Sequence, residues 1–105
     1  MTPYYRMKKV YLKIHRRNGI ETVACCDELL LNQIFREGKL KIEISDHFFG
    51  GDLMNIEEAI EILNCASYFN IVGENIVNMA IENKILPKEG TRSINGIPMA
   101  IKMMF

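Results

Sequence analysis

Residues 8–26 alternate about a single Asn-Gly pair, and that pattern constrains the fold of the 105-residue chain more than any other segment. Val10, Leu12 and Ile14 share one face of an extended run, while Tyr11, Lys13, His15 and Arg17 share the other. Period two with β-branched and aromatic residues predicts a half-buried strand over Lys8–Arg17. Asn18-Gly19 follows, and both residues tolerate the positive φ of a type I′ turn. The second strand is then Ile20–Cys26. Counting back from a two-residue turn pairs Arg17 with Ile20, Arg16 with Glu21, His15 with Thr22, Ile14 with Val23 and Leu12 with Cys25. Leu12, Ile14, Val23 and Cys25 then share one face, so pattern and register agree.

Beyond the hairpin, Asp27 is positioned to cap a short helix over Glu28 to about Phe35, ended by Gly38. Lys39–Ser45 alternates again, with Leu40, Ile42 and Ile44 inward. Residues 46–52 read as a loop around Gly50-Gly51. Asn55-Ile56-Glu57-Glu58 has the form of a capping box, with Asn at the N-cap and Glu at the third helical position. The helix it opens carries Ile56, Ala59, Ile60, Leu63 and Ala66 on one stripe and is expected to end near Phe69-Asn70. A second helix is expected from Gly73 to about Lys84, with Ile76, Val77, Ala80 and Ile81 inward. Pro87 and Gly90 stop it. Asn95-Gly96 marks another tight turn before a last strand, Ile97–Met104. The order β-β-α-β-α-α-β predicts an α+β domain. It has a mainly antiparallel sheet of about four strands, with a helical layer, a short helix plus a two-helix hairpin, on one face.

A chain of this length supports one modest core without metals or disulfides. Residues 8–105 are read as that single domain and residues 1–7 as a loose N-terminal extension, with Met7 an alternative start. The start lacks a signal-peptide h-region, and no apolar run reaches membrane-spanning length, so no membrane partner is expected. The three cysteines, Cys25, Cys26 and Cys65, are odd in number, and two are adjacent. Free, mostly buried thiols in a reducing cytoplasm are the expectation. There is no C-x-x-C and no H-E-x-x-H, so neither a metal nor a cofactor is expected.

Thirteen basic residues face thirteen acidic ones, which excludes a uniformly cationic protein. The balance is uneven along the chain. Residues 1–41 hold nine basic against four acidic residues (+5), residues 42–85 one against eight (−7), and residues 86–105 three against one (+2). Projected through the alternation, the outward sheet face collects Tyr11, Lys13, His15, Arg17, Lys39, Lys41 and Lys102, with Glu43 intruding. Such a face neutralises phosphates, and its tyrosine can stack on an unpaired base. The plainer reading is a solvated face on which Lys and Arg discourage edge pairing. The aromatic content is thin, and no RNP signature is present.

Two further segments draw notice. Gly73 and Asn75 lie in Asn70-Ile71-Val72-Gly73-Glu74-Asn75, which faintly follows a helix-hairpin-helix turn that offers helix amides to a phosphate. Only Gly73 matches; Ile71 stands where the first glycine belongs, and Glu74 repels an anion. A glycine easing a tight connection is the plainer reading. His47, Phe48 and Phe49 beside the glycine pair form either a binding rim or, the preferred reading, a lid on the core. No catalytic constellation is found, so the expectation is a protein that is not an enzyme.

Five runs carry a family resemblance: Tyr11-Leu12-Lys13-Ile14-His15-Arg16-Arg17, Phe35-Arg36-Glu37-Gly38-Lys39-Leu40, Phe48-Phe49-Gly50-Gly51, Asn70-Ile71-Val72-Gly73-Glu74 and Ile94-Asn95-Gly96-Ile97-Pro98. In order and spacing they resemble the archaeal family known as "domain of unknown function 424", over nearly the whole chain from about Lys8. The resemblance implies an archaeal, cytosolic, single-domain protein and brings no functional residue with it. Two functions are carried forward. The first is a non-enzymatic RNA-binding or ribonucleoprotein-associated module that uses the basic sheet face. The second is an interaction subunit that docks a basic protein partner, or a second copy of itself, through an acidic helical layer.

Overall fold

The computed structural model describes residues 8–103. The expected N-terminal extension and the end of the last strand, at Met104, fall outside them. The first hairpin forms as its pattern requires. β1 (Lys9–Arg17) and β2 (Ile20–Asp27) pair antiparallel, with Arg17 opposite Ile20, His15 opposite Thr22 and Leu12 opposite Cys25. Asn18 and Gly19 both take positive φ, +52° and +78°, as a type I′ turn needs.

The main sheet is larger than the pattern suggests. It has six strands, in the order β5-β1-β2-β6-β8-β7, and it is mixed, because β2 and β6 run parallel. β5 is Asp52–Asn55, β6 Tyr68–Val72, β7 Thr91–Ile94 and β8 Ile97–Lys102. β3 (Ile34–Glu37) and β4 (Leu40–Glu43) form a separate two-stranded hairpin. Three helices accompany them: α1 (Asp46–Phe49), α2 (Ile56–Cys65) and α3 (Glu74–Glu82).

Several expectations are corrected. Residues 28–35 do not form a helix. Glu28–Leu30 makes one 3-10 turn, Asn32 takes φ +70°, and the chain turns into β3. Asp27 gives that turn no side-chain cap, because its carboxylate is engaged elsewhere. Of the three residues placed inward on the next strand, Ile44 is fully buried, whereas Leu40 is about half exposed at 49%. The loop at 46–52 holds α1 and the start of β5. Asn55 stands at the N-cap of α2, as the capping box indicates, yet its side chain makes no capping bond. α2 ends at Cys65, and residues 68–72 form a central strand, so α2 and α3 are not a two-helix hairpin.

The physical reason for that last difference is burial on both faces. In β6, Phe69 and Ile71 turn to one core and Val72 to the other. A short run buried on both sides loses its alternation and is hard to tell from a helix segment. The first core lies under α2 and α3. It joins Val10, Leu12, Val23 and Cys25 to Ile56, Ile60, Leu63, Phe69, Ile71, Ile76, Val77 and Ala100. The second lies on the opposite face, where Ala24, Cys26 and Val72 meet Ile44 and Phe49, with Phe35, Ile42 and Met99 packed around them. The sheet is therefore the middle of three layers, and only part of its second face is open.

Asp27 ties these layers together. It is 6% exposed, and its two carboxylate oxygens accept the backbone N–H groups of Asn75 (2.8 Å) and Ile76 (2.9 Å), capping α3 from the strand beside β6. Gly73, at φ +126°, passes directly against that carboxylate, and any Cβ there would collide with it. A second glycine serves close approach at Gly51, where a Cβ would strike the Leu12 carbonyl of β1.

Burial lifts the Asp27 carboxyl above its usual range. The two amides oppose that lift, Glu74 adds to it and Lys8 opposes it. The same burial, with Asp27 nearby, pushes the Cys26 thiol up to about 12. Cys25 rises well above its ordinary value for the same first reason, with Cys26 and Asp27 adding.

Asp27→Asn keeps the shape but faces one amide with another donor, and it should cost about 1–3 kcal/mol in chemical denaturation. Gly73→Ala should cost at least as much, through strain at positive φ and the collision with the cap. A carboxyl lifted in the folded state contributes stability that is full below its unfolded pKa of about 4 and is lost as pH rises through the folded value. The native chain should therefore lose stability relative to Asp27→Asn as pH rises out of the acid range. A thiol reagent should titrate Cys65, the exposed cysteine, in the native protein and reach Cys25 and Cys26 only in denaturant.

Candidate nucleic-acid interface

The second face of the sheet is best described as rows of register partners. Tyr11, Cys26, Val72 and Met99 form one row across β1, β2, β6 and β8. Lys13, Ala24, Asn70 and Ile101 form the next; His15, Thr22 and Tyr68 the one after; Arg17 and Ile20 the last, beside the Asn18-Gly19 turn. The first row lies under the cover of the β3–β4 hairpin and α1, where Cys26 and Val72 are buried and Tyr11 and Met99 pack against the cluster. Toward the turn the cover ends.

α1 forms the boundary between the covered and open parts. Ser45 caps it, its hydroxyl accepting from the Phe48 N–H at 3.1 Å. The carbonyls of α1 are met from the sheet below. The Lys13 ammonium donates to the His47 carbonyl at 2.8 Å. His15 Nε2 lies 2.7 Å from the Phe48 carbonyl, which can only accept, so that nitrogen carries the proton. The His15 and Phe48 rings also stack, with centroids 4.7 Å apart and planes 17° from parallel. Phe49 is buried in the second core and Phe48 packs against it while lining the groove, so the aromatic pair is partly a lid, as expected, and partly a wall.

Past α1 the open rows form a groove of about 650 Å³. His15, His47 and Phe48 make one wall, Arg16, Arg17 and Asn18 the rim at the turn, and Ile20, Thr22 and Asn70 the floor. No acidic residue among the described ones lines it. Arg16 is ion-paired with Glu21 at 2.9 Å, both well exposed, a pair of small energetic weight. Arg17, beside it, is exposed. The Thr22 hydroxyl and Asn70 carboxamide, both half-buried, have no side-chain hydrogen bond to the protein among the described residues.

The residues expected on one basic face do not share a surface. His15 and Arg17 line the groove, and Lys13 sits under α1. Tyr11 is half-buried against the second core, which leaves it no open face for stacking. Lys39 and Lys41 are exposed on the separate β3–β4 hairpin, whose Glu37 accepts from the Asn95 N–H at the β7–β8 turn. Lys102 lies on the helix-covered face. It donates to the Ala66 carbonyl at 3.0 Å and sits 6.0 Å from the Phe69 ring centre. Its expected place on the outward basic face is thereby corrected: its register partner Phe69 faces the helix-covered core, and Lys102 faces the same way.

The amides of Gly73 and Asn75 are not open to a phosphate: Gly73 donates to the Pro98 carbonyl at 2.9 Å, and Asn75 donates to the Asp27 carboxylate. Beside it lies a smaller pocket of about 310 Å³, with Lys8 and Lys9 on one side and Asp27, Glu28 and Glu74 on the other. Its mixed charge selects no single ligand. Among the described residues, no three His, Cys, Asp or Glu side chains gather to hold a metal ion. No helix is long and apolar enough to cross a membrane.

Thr22, His47, Phe48 and Asn70 line the groove without being expected on the basic face, and Tyr68 stands beside Thr22 at its end. Thr22 was already legible as the register partner of His15. Tyr68 and Asn70 were hidden by assigning residues 68–70 to a helix end, although Tyr-Phe-Asn-Ile-Val between Ser67 and Gly73 carries a strand signal. His47 and Phe48 reach the groove only through tertiary packing.

No curated protein matches the chain significantly. Among solved structures, an uncharacterized conserved protein from Methanopyrus kandleri shares the fold, with a TM-score of 0.78 and 22% identity over 89% of each chain. Residues 15–104 match the family described as "Protein of unknown function (DUF424)", and the chain belongs to that family.

Proposed function

We propose that this protein binds RNA without catalysing a reaction, as an RNA-binding or ribonucleoprotein-associated module of an archaeal cytoplasm. The observation that carries the reading is the groove: Arg17, His15 and His47 converge there on polar floor residues, and no acidic residue among the described ones joins them. Phosphates of a nucleic-acid strand are neutralised by such a rim. Electrostatics support the same side. The exposed glutamates of α2, Glu57, Glu58 and Glu61, lie on the layer across the sheet, away from the groove. The buried free thiols Cys25 and Cys26 support a reducing compartment.

A second reading rests on those α2 glutamates. All three are exposed and have no ion pair among the described residues, which suits docking to a basic protein surface or to a second copy of the chain.

Titration with structured RNA across a salt series tests the first reading. Binding should weaken steeply with salt, and Arg17→Glu should lower affinity about tenfold and flatten the log–log slope by roughly one. Lys39→Glu with Lys41→Glu, away from the groove, should have the smaller effect. Absence of binding at low salt, or indifference to Arg17→Glu, would sink it. For the second reading, sedimentation at low salt with and without a basic partner recovered from native extract should show a stoichiometric complex. That complex should be weakened by Glu57→Lys with Glu61→Lys.

A further inference from the structure

The groove has a floor as well as a charged rim, and the floor carries different chemistry. Thr22 and Tyr68 are register neighbours on parallel strands β2 and β6, so their side chains project from the same face. Asn70, two residues along β6, projects from that face too. All three are half-buried, and the Thr22 hydroxyl and Asn70 carboxamide have no protein hydrogen-bond partner among the described residues. Side chains of this kind usually find partners when partly removed from water, so a donor–acceptor pair left open at the bottom of a groove is available to a ligand. Tyr68, the neighbour of Thr22 on that face, stands just beyond the residues that line the groove. Adjacent strands are about 4.8 Å apart and each residue advances about 3.3 Å along a strand, so Tyr68 lies one strand spacing from Thr22 and Asn70 one same-face step further along β6, opposite Ala24. Arg17 stands one row nearer the turn and lines the same groove.

Resting on the RNA-binding reading above, we infer that the groove takes a single unpaired nucleobase over its floor: Thr22 and Asn70 hydrogen-bond its edge, Tyr68, beside Thr22 at the end of the groove, stacks on it, and Arg17 holds the adjoining phosphate. Paired bases present neither a free face nor a Watson–Crick edge, so the site selects single-stranded segments or splayed loops over duplex.

The test compares three probes by fluorescence anisotropy: a ten-nucleotide single-stranded RNA, its blunt duplex, and an abasic strand of the same length. The single strand should bind at least tenfold more tightly than either of the others. Tyr68→Ala should weaken single-strand binding about tenfold, Tyr68→Phe should retain it within about twofold, and Asn70→Ala should change the preference among homopolymers. Arg17→Glu should weaken all three probes. Circular dichroism on each variant separates lost binding from lost fold, and Tyr68→Phe serves where Tyr68→Ala does not fold. Equal binding of the abasic strand or of the duplex, with Arg17→Glu still damaging, overturns the base pocket and leaves the RNA reading standing. No binding of any probe overturns both.

Discussion

A single carboxylate organises one end of this molecule. Asp27 closes β2, and both of its oxygens are taken by the first free amides of α3, nearly fifty residues further along the chain. Burying a charge without partners is costly, and two amides at a helix N-terminus are the partners that make it tolerable. The arrangement exists only because residue 73 has no side chain. Val72 is the parallel neighbour of Cys26, so the chain leaving β6 runs straight past Asp27, and only glycine fits there at φ +126°. One interaction thus joins the central parallel pair to the helix that roofs the first core.

The same contact shapes what the protein can bind. A helix N-terminus is a natural anion site, but here the anion is intramolecular. The burial that surrounds it also raises the thiols of Cys25 and Cys26 above their ordinary range. The proposed groove lies at the other end of the strands, where the β3–β4 hairpin and α1 no longer reach. Lys13 and His15, read as free basic groups, instead hold the α1 carbonyls to the sheet, and His15 reaches the groove as part of its wall.

The first hairpin and its register were legible because one face is buried and the turn type is specified by Asn18-Gly19; a slip by one residue would turn Leu12 and Ile14 outward. The stripe of α3 was legible for a similar reason, with Ile76, Val77 and Ala80 buried as their spacing requires. β5 and β7, of four residues each, were too short to carry a period. β6, buried on both faces, carried an apolar run without alternation. Asp27 was recognised as a cap, but its helix was sought next to it in sequence. Local patterns report neighbours along the chain, and this bond spans the fold.

Sequence alone determined the alternating hairpin, the α+β class, the uneven charge and the family. The tertiary structure alone decided which basic residues share a surface. Strand parity says that Lys102 and Met103 face opposite ways, but which way is up depends on the pairing of β8 with β6, and that pairing turns Lys102 toward the helices. Likewise, nothing local says that a hairpin folds back over Tyr11 or stops short of Thr22 and Asn70. A groove is made by segments distant in the chain, so its shape belongs to the packing of layers and not to the periodicity of any one strand.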